Sequence, residues 1–186
     1  MDQVFAPWRI EWVERDPGEQ NPDVDCPFCA LPEREDAREA RVVARSAHAF
    51  VLLNNYPYNP GHAMVIPFQH GGDYGALPDE VLLDHARLKG RTLDALDAAL
   101  GPDGVNTGEN LGGTAAGGSI EDHLHTHVVP RWGGDTNFMP VISDTKVIVE
   151  ALDDTYDRLH EAFAAREEAE VAETGAVRIR FGDPQG

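Results

Sequence analysis

The sequence is poor in lysine and in cysteine. Two of its 186 residues are lysine and two are cysteine, so the chain lacks the several disulfides that hold small secreted domains together. No apolar run approaches the roughly 20 residues that span a bilayer. The first residues include Asp2, Glu11 and Glu14, unlike the basic start of a signal peptide. We therefore expect a cytoplasmic protein with no membrane partner.

Acidic residues outnumber basic ones by more than two to one. Aspartate and glutamate total 33, lysine and arginine total 15, and the formal net charge is −18 at pH 7. A surface this negative repels nucleic acid and anionic membranes, which excludes proteins that bind such polyanions. Together with the scarcity of lysine, this composition resembles that of proteins from salt-accumulating halophiles. The sequence therefore predicts a halophilic protein.

The charge predicts that the fold needs high salt. Like charges repel one another in the compact state, and salt shortens the Debye length from about 10 Å at 0.1 M to about 3 Å at 1 M. We expect the melting temperature, followed by circular dichroism, to rise between dilute buffer and molar potassium chloride. An unchanged melting temperature would contradict the halophilic interpretation.

The length fits one domain with a short tail. We expect the domain to cover residues 1–160, and the end of a C-terminal helix and a tail to cover 161–186. Apolar patterns predict α+β structure, with core strands at residues 41–45, 49–54, 63–67, 105–110 and 124–130. These form an antiparallel sheet of about five strands. A further edge strand is expected over residues 177–181.

Helical spacing of apolar residues predicts a long helix from Pro78 to about Leu100. Proline is tolerated in a first turn, and Gly101 with Pro102 ends the helix. Two more helices are predicted, a short one over about residues 33–39 and a long C-terminal one over about 145–170.

Three histidines stand at alternate positions, His123, His125 and His127. Side chains of a strand alternate between its faces, so the three imidazoles share one face. At about 3.3 Å per residue the outer two lie about 13 Å apart, too far to bind one metal ion. The three histidines must therefore have different roles. Either two neighbours chelate a catalytic zinc, or the three act as structural ligand, nucleophile and phosphate contact.

The two cysteines form the run Cys26-Pro27-Phe28-Cys29. Two thiolates at this spacing supply half of a tetrahedral metal site, and distant histidines must supply the other half. The candidates are His70 and His123. A redox dithiol is the alternative, but such a motif follows a strand of a βαβ unit, and nothing upstream of Cys26 resembles one. The pattern favours a metal.

The sequence resembles the histidine triad, or HIT, superfamily of nucleotide hydrolases and transferases in two places. One is the run of three histidines. The other is the stretch from Phe50 to Pro67, which contains Asn54 and Pro60-Gly61-His62. The likeness spans roughly Ala6 to Leu159. In that family the stretch is a hairpin whose asparagine binds ribose. The resemblance implies a HIT-like fold, a homodimer and a nucleotide substrate.

Finer motifs resemble the diadenosine tetraphosphate phosphorylase branch. They are Ala6-Pro7-Trp8-Arg9, the Cys-Pro-Phe-Cys run, the segment from Asn54 to His62, Asn110-Leu111-Gly112, Gly117-Gly118-Ser119 and the segment from Val129 to Asp135. The resemblance implies nucleotide contacts from Asn54, Asn110, Gly118, Ser119 and His127. Two residues depart from the family pattern. Thr126 replaces an apolar residue, and Ser119 stands where many relatives place glutamine near the phosphates.

The resemblance implies cleavage of dinucleoside polyphosphates at the α-phosphate. His125 attacks phosphorus and forms a nucleotidyl-histidine, and its other ring nitrogen donates to a backbone carbonyl, which fixes the tautomer. His127 bonds the phosphate or helps the leaving group depart. His123 joins Cys26, Cys29 and His70 around a structural zinc.

The sequence leaves several alternatives. The acceptor of the nucleotidyl group is either phosphate or water. In so negative a protein the phosphates need local compensation, for which backbone N–H groups, His127, Arg131 and magnesium on the substrate are candidates. A nucleoside phosphoramidase of the same superfamily, a zinc metallohydrolase and a nucleotide-binding module without turnover are the alternatives.

Overall fold

A mixed β-sheet organises the part of the chain that the computed structural model describes, residues 26–112, 114–116, 120, 122–135, 151–171 and 175–182. Its strands in chain order are β1 (Val42–Arg45), β2 (Ala49–Leu53), β3 (Ala63–Pro67), β4 (Gly104–Gly108), β5 (Thr126–Arg131), β6 (Ala169–Glu170) and β7 (Val177–Ile179). Their order across the sheet is β4-β5-β3-β2-β1-β7-β6. The α-helices of the described residues are α1 (Pro27–Ala30), α2 (Asp79–Leu100) and α3 (Leu152–Ala164).

The five predicted core strands are present and pair antiparallel as β4-β5-β3-β2-β1. Among the described residues the sheet nevertheless has seven strands and is mixed, whereas the prediction was an antiparallel sheet of about five. The strand predicted over residues 177–181 is present as β7 and pairs with β1 in parallel. It is not an edge strand, because β6 pairs with its other side. Both strands come from residues 161–186, so part of the expected tail belongs to the sheet.

Two of the predicted helices differ from the structure. Glu33 ends a 3-10 helix that begins at Leu31, and residues 34–39 form a bend and a turn rather than a helix. The Asp36 carboxylate accepts from the backbone N–H groups of Arg38 and Glu39, as a helix N-cap would. The chain nevertheless makes only one turn, because Arg41 leaves the helical conformation with φ of 59°. The C-terminal helix α3 ends at Ala164 and not at Glu170, which lies in β6. Its expected start falls among residues 145–150, outside the described residues.

The predicted long helix is confirmed as α2. Pro78 is its N-cap, and Asp79 and Glu80 complement the positive end of the helix dipole. Gly101 ends it with φ of 58°, a left-handed conformation that glycine adopts without strain. None of the described helices combines the length and the apolarity needed to cross a membrane.

The two faces of the sheet have different neighbours. One face packs against α2 and α3 through a core that includes Val51, Val65, Leu96 and Phe163. Alternate residues of the same strands point the other way and pack with Cys26 and Phe28; they include Val42, Phe50, Leu52, Met64 and Ile66. We call the first the helix face and the second the triad face.

Candidate active site and metal centre

The three histidines lie at the start of β5, which runs between β4 and β3 in the sheet. His127 belongs to β5 and is flanked by Met64 of β3 and Gly108 of β4. His123 and His125 immediately precede the strand and are buried. The rings of His125 and His127 have centroids 5.1 Å apart, and the ring of Phe28 lies 5.1 Å from that of His125. The sequence prediction that the three share one side of the chain therefore matches the geometry.

His125 has a defined tautomer. Its Nδ1 lies 2.8 Å from the backbone carbonyl oxygen of His123. A carbonyl only accepts, so Nδ1 carries the proton and Nε2 presents a lone pair. This is the hydrogen bond expected of an imidazole nucleophile.

His62 is a further candidate for a functional residue. The sequence indicated it only as part of the motif Pro60-Gly61-His62. It is fully buried, and its Nε2 lies 2.9 Å from Nδ1 of His127. Its Nδ1 accepts from the backbone N–H of Tyr58 at 3.1 Å. His62 therefore carries its proton on Nε2 and donates to His127. In a neutral His127 the remaining proton then sits on Nε2, where it can be donated.

The turn before His62 depends on a glycine. Gly61 has φ of 76°, and a Cβ there would lie 2.3 Å from Cδ1 of Leu100. The turn is further held by the Asn59 amide, which donates to the Pro130 carbonyl and to the Asp135 carboxylate. Only a glycine lets the chain approach α2 this closely and still present His62 to the triad.

The four predicted metal ligands converge. One ligand atom each from Cys26, Cys29, His70 and His123 lies within 4.8 Å of the others. Nδ1 of His123 is 3.3 Å from Sγ of Cys26 and 3.6 Å from Sγ of Cys29. Nδ1 of His70 is 3.5 Å from Sγ of Cys29. With metal bonds of about 2.3 Å to sulfur and about 2.0 Å to nitrogen, tetrahedral sulfur and nitrogen ligands lie about 3.5 Å apart. The cluster therefore has the dimensions of a tetrahedral metal site.

The surroundings prepare His123 to bind a metal. Its Nε2 donates to the Pro67 carbonyl at 2.8 Å, which turns the Nδ1 lone pair toward the cysteines. Burial lowers the pKa of His123, which favours the neutral ligand form. Partial desolvation, followed by the hydrogen bond and charge of Cys26, raises the pKa of the Cys29 thiol. Metal binding must therefore release a thiol proton.

The predicted nucleotide contacts are only partly described. Asn54 follows β2, and its amide nitrogen lies 3.5 Å from Nε2 of His62. Asn110 is exposed, two residues beyond Gly108, the neighbour of His127 in β4. Gly118 and Ser119 lie outside the described residues. Asn54 thus follows β2 beside His62, and Asn110 follows β4, the strand that pairs with β5 at His127.

Arg131, a candidate phosphate contact, binds side chains of its own chain. It lies at the far end of β5, opposite Gly104 of β4. Its guanidinium binds both carboxylate oxygens of Asp135 and the side chain of Asn106. The hydrogen bond with Arg131 holds the pKa of Asp135 well below its usual range. Arg131 therefore stabilises the turn after β5, and a phosphate contact from it stays a prediction.

The sequence is similar to those of known proteins. The model of the HIT domain family matches residues 35–134. AP-4-A phosphorylase of Mycobacterium tuberculosis is 40% identical over 162 residues, which cover 83% of this chain and 80% of that protein. Adenosine 5'-monophosphoramidase of Saccharomyces cerevisiae is 31% identical over 109 residues, 59% of this chain and 64% of that one.

The fold is also similar to that of a solved structure. The zinc-bound histidine triad family protein from Mycobacterium smegmatis superposes with a TM-score of 0.59 at 26% identity, over 75% of this chain and 94% of that one. Family model, sequence relatives and fold all agree with the geometry of the three histidines. The chain belongs to the HIT domain family.

Proposed function

We propose that this chain cleaves dinucleoside polyphosphates of the diadenosine tetraphosphate type at the α-phosphorus, through a nucleotidyl intermediate on His125. The observation that carries the proposal is the hydrogen bond from His125 Nδ1 to the His123 carbonyl, which leaves the Nε2 lone pair for attack. The 40% identity to AP-4-A phosphorylase supports the choice of substrate.

The reaction divides into two displacements. In the first, Nε2 of His125 attacks the α-phosphorus, the bond from phosphorus to the bridging oxygen breaks, and ATP leaves. His127 bonds the phosphate or the departing oxygen through its Nε2 proton, the tautomer that His62 imposes. In the second, an oxygen of phosphate or water attacks phosphorus, and the phosphorus–nitrogen bond breaks. Phosphate yields ADP, whereas water yields AMP.

We further propose that the metal of the four-residue cluster is zinc with a structural role. Two thiolates and two imidazoles are a typical donor set for structural zinc, and a HIT structure of similar fold is zinc-bound. Four protein ligands fill a tetrahedron and leave no position for substrate. The donor set therefore favours the nucleotidyl mechanism over the zinc metallohydrolase. A zinc here would fix α1 to the end of β3 and the start of β5.

A second candidate is a nucleoside phosphoramidase with the same intermediate, which the 31% identity to adenosine 5'-monophosphoramidase favours.

Four further expectations stay predictions: the homodimer, the cytoplasmic location, the halophilic character and magnesium on the substrate.

The test is a substrate panel. Purified protein is incubated with diadenosine tri- and tetraphosphate and with adenosine phosphoramidate, with and without inorganic phosphate, and the products are separated by chromatography. We expect diadenosine tetraphosphate to give ATP with ADP when phosphate is the acceptor, or ATP with AMP when water is. Turnover of the phosphoramidate alone would favour the second candidate. Nucleotide binding without any product would contradict both.

A further inference from the structure

Thr126, the departure from the family pattern within the triad, lies at the centre of a buried polar network. It stands between His125 and His127 but points to the opposite, helix face, and it is fully buried. Its hydroxyl donates to a carboxylate oxygen of Glu109 at 2.7 Å. The same hydroxyl oxygen lies 3.1 Å from Nε2 of His85 on α2. A hydroxyl in this position needs partners, because an unpaired buried polar group is costly.

The directions of these hydrogen bonds are consistent. His85 is buried, and burial lowers its pKa, so its ring is neutral with one N–H. Nε2 also lies 3.2 Å from the Val65 carbonyl oxygen, which only accepts. The Nε2 proton is therefore shared between that carbonyl and the Thr126 oxygen. The hydroxyl proton of Thr126 is left for Glu109, which gives a chain of donors ending at a carboxylate.

Glu109 connects this network to the candidate nucleotide site. It directly follows β4, whose last residue, Gly108, is the neighbour of His127. Glu109 reaches Thr126 on the helix face. In an extended chain the next side chain points to the opposite face, which for Asn110 is the side of the triad. Asn110 is exposed. Fixing the Glu109 carboxylate therefore fixes the backbone from which the Asn110 side chain extends.

We propose that Thr126 and Glu109 are positioning residues, which hold the end of β4 so that Asn110 meets the nucleotide beside His127. The proposal rests on the proposed function for the identity of the ligand. Neither residue touches the reacting atoms, because both act from the helix face.

Thr126→Val is the sharpest test, because valine has nearly the shape of threonine and lacks only the hydroxyl. Thr126→Ser is its matched control, since it keeps the hydroxyl. The two variants, Glu109→Ala and the double variant Thr126→Val/Glu109→Ala are compared with wild type. AMP affinity is measured by calorimetry, and KM and kcat are measured with diadenosine tetraphosphate.

We expect Thr126→Val and Glu109→Ala each to weaken AMP binding and to raise KM by about tenfold, the change that corresponds to the loss of one hydrogen bond. The value of kcat should change less, because His125 and His127 keep their own partners. Thr126→Ser should restore AMP affinity and KM. The double variant should be no worse than either single variant, since both remove the same interaction.

Equal AMP affinity and KM in Thr126→Val and wild type would overturn the proposal. So would additive effects in the double variant, or a Thr126→Ser variant as impaired as Thr126→Val. If Thr126→Val fails to fold, Glu109→Ala, at a half-buried position, provides the same test. If the wild type binds AMP but cleaves no dinucleotide, the proposed function fails, whereas the AMP affinities still decide whether the residues position Asn110.

Discussion

Replacing His125 with alanine is expected to lower kcat by about 10⁴-fold or more, the usual cost of removing a catalytic nucleophile. The variant loses the nitrogen that attacks phosphorus, so the covalent route is closed. AMP affinity should change little, because Asn54, Asn110 and His127 remain. Rapid quenching of the wild type with labelled diadenosine tetraphosphate, followed by mass spectrometry without acid, should find a nucleotidyl group on the peptide that contains His125.

His160→Ala is the matched control for this variant. His160 lies on α3, which packs on the helix face, and its ring contacts Tyr156 and the Gly175 carbonyl. Its removal should leave turnover intact. An active His125→Ala enzyme, or a nucleotidyl group found on another residue, would refute the assignment of the nucleophile.

The double variant Cys26→Ser/Cys29→Ser is expected to lose the metal and to melt at least about 10 °C below the wild type. Several kcal/mol of stability depend on a structural zinc, and each kcal/mol shifts the melting temperature of a chain this size by about 2–4 °C. Elemental analysis should find one zinc per wild-type chain and none in the variant. Stability should fall more than the turnover of the protein that remains folded.

A histidine outside the cluster provides the control for metal loss. His48 is exposed and is not part of the four-residue group, so His48→Ala should retain one zinc per chain. Purified wild type without zinc, or a double cysteine variant that still binds it fully, would show that the cluster is not a zinc site.

Local patterns were enough to predict the triad and the long helix. Alternation along an extended chain predicts His123, His125 and His127 on one side of it, from a segment of five residues. The apolar periodicity of α2, with Pro78 before it and Gly101 after it, is likewise contained in a short segment. Such features need no knowledge of distant contacts.

Features that depend on distant pairings were missed or misassigned. His62 acquires its role only because β3 pairs with β5 in a register that places Met64 beside His127. The sequence also does not show that Asp135 and Asn106 surround the guanidinium of Arg131. Strand β7 was predicted from its own residues, but as an edge strand; its place between β1 and β6 depends on pairings that its pattern does not contain. The metal cluster was predictable because two cysteines supply only half of a tetrahedral site, and few residue types can supply the other two ligands.

His123 belongs to two sites at once. Its Nδ1 faces the cysteines, its Nε2 is tied to β3, and its carbonyl orients the nucleophile. A replacement of the side chain would keep the carbonyl in the chain but release the ring that holds it in place. A substitution at this position would therefore change two things at once, the ligands available to a metal and the support of the carbonyl that orients His125.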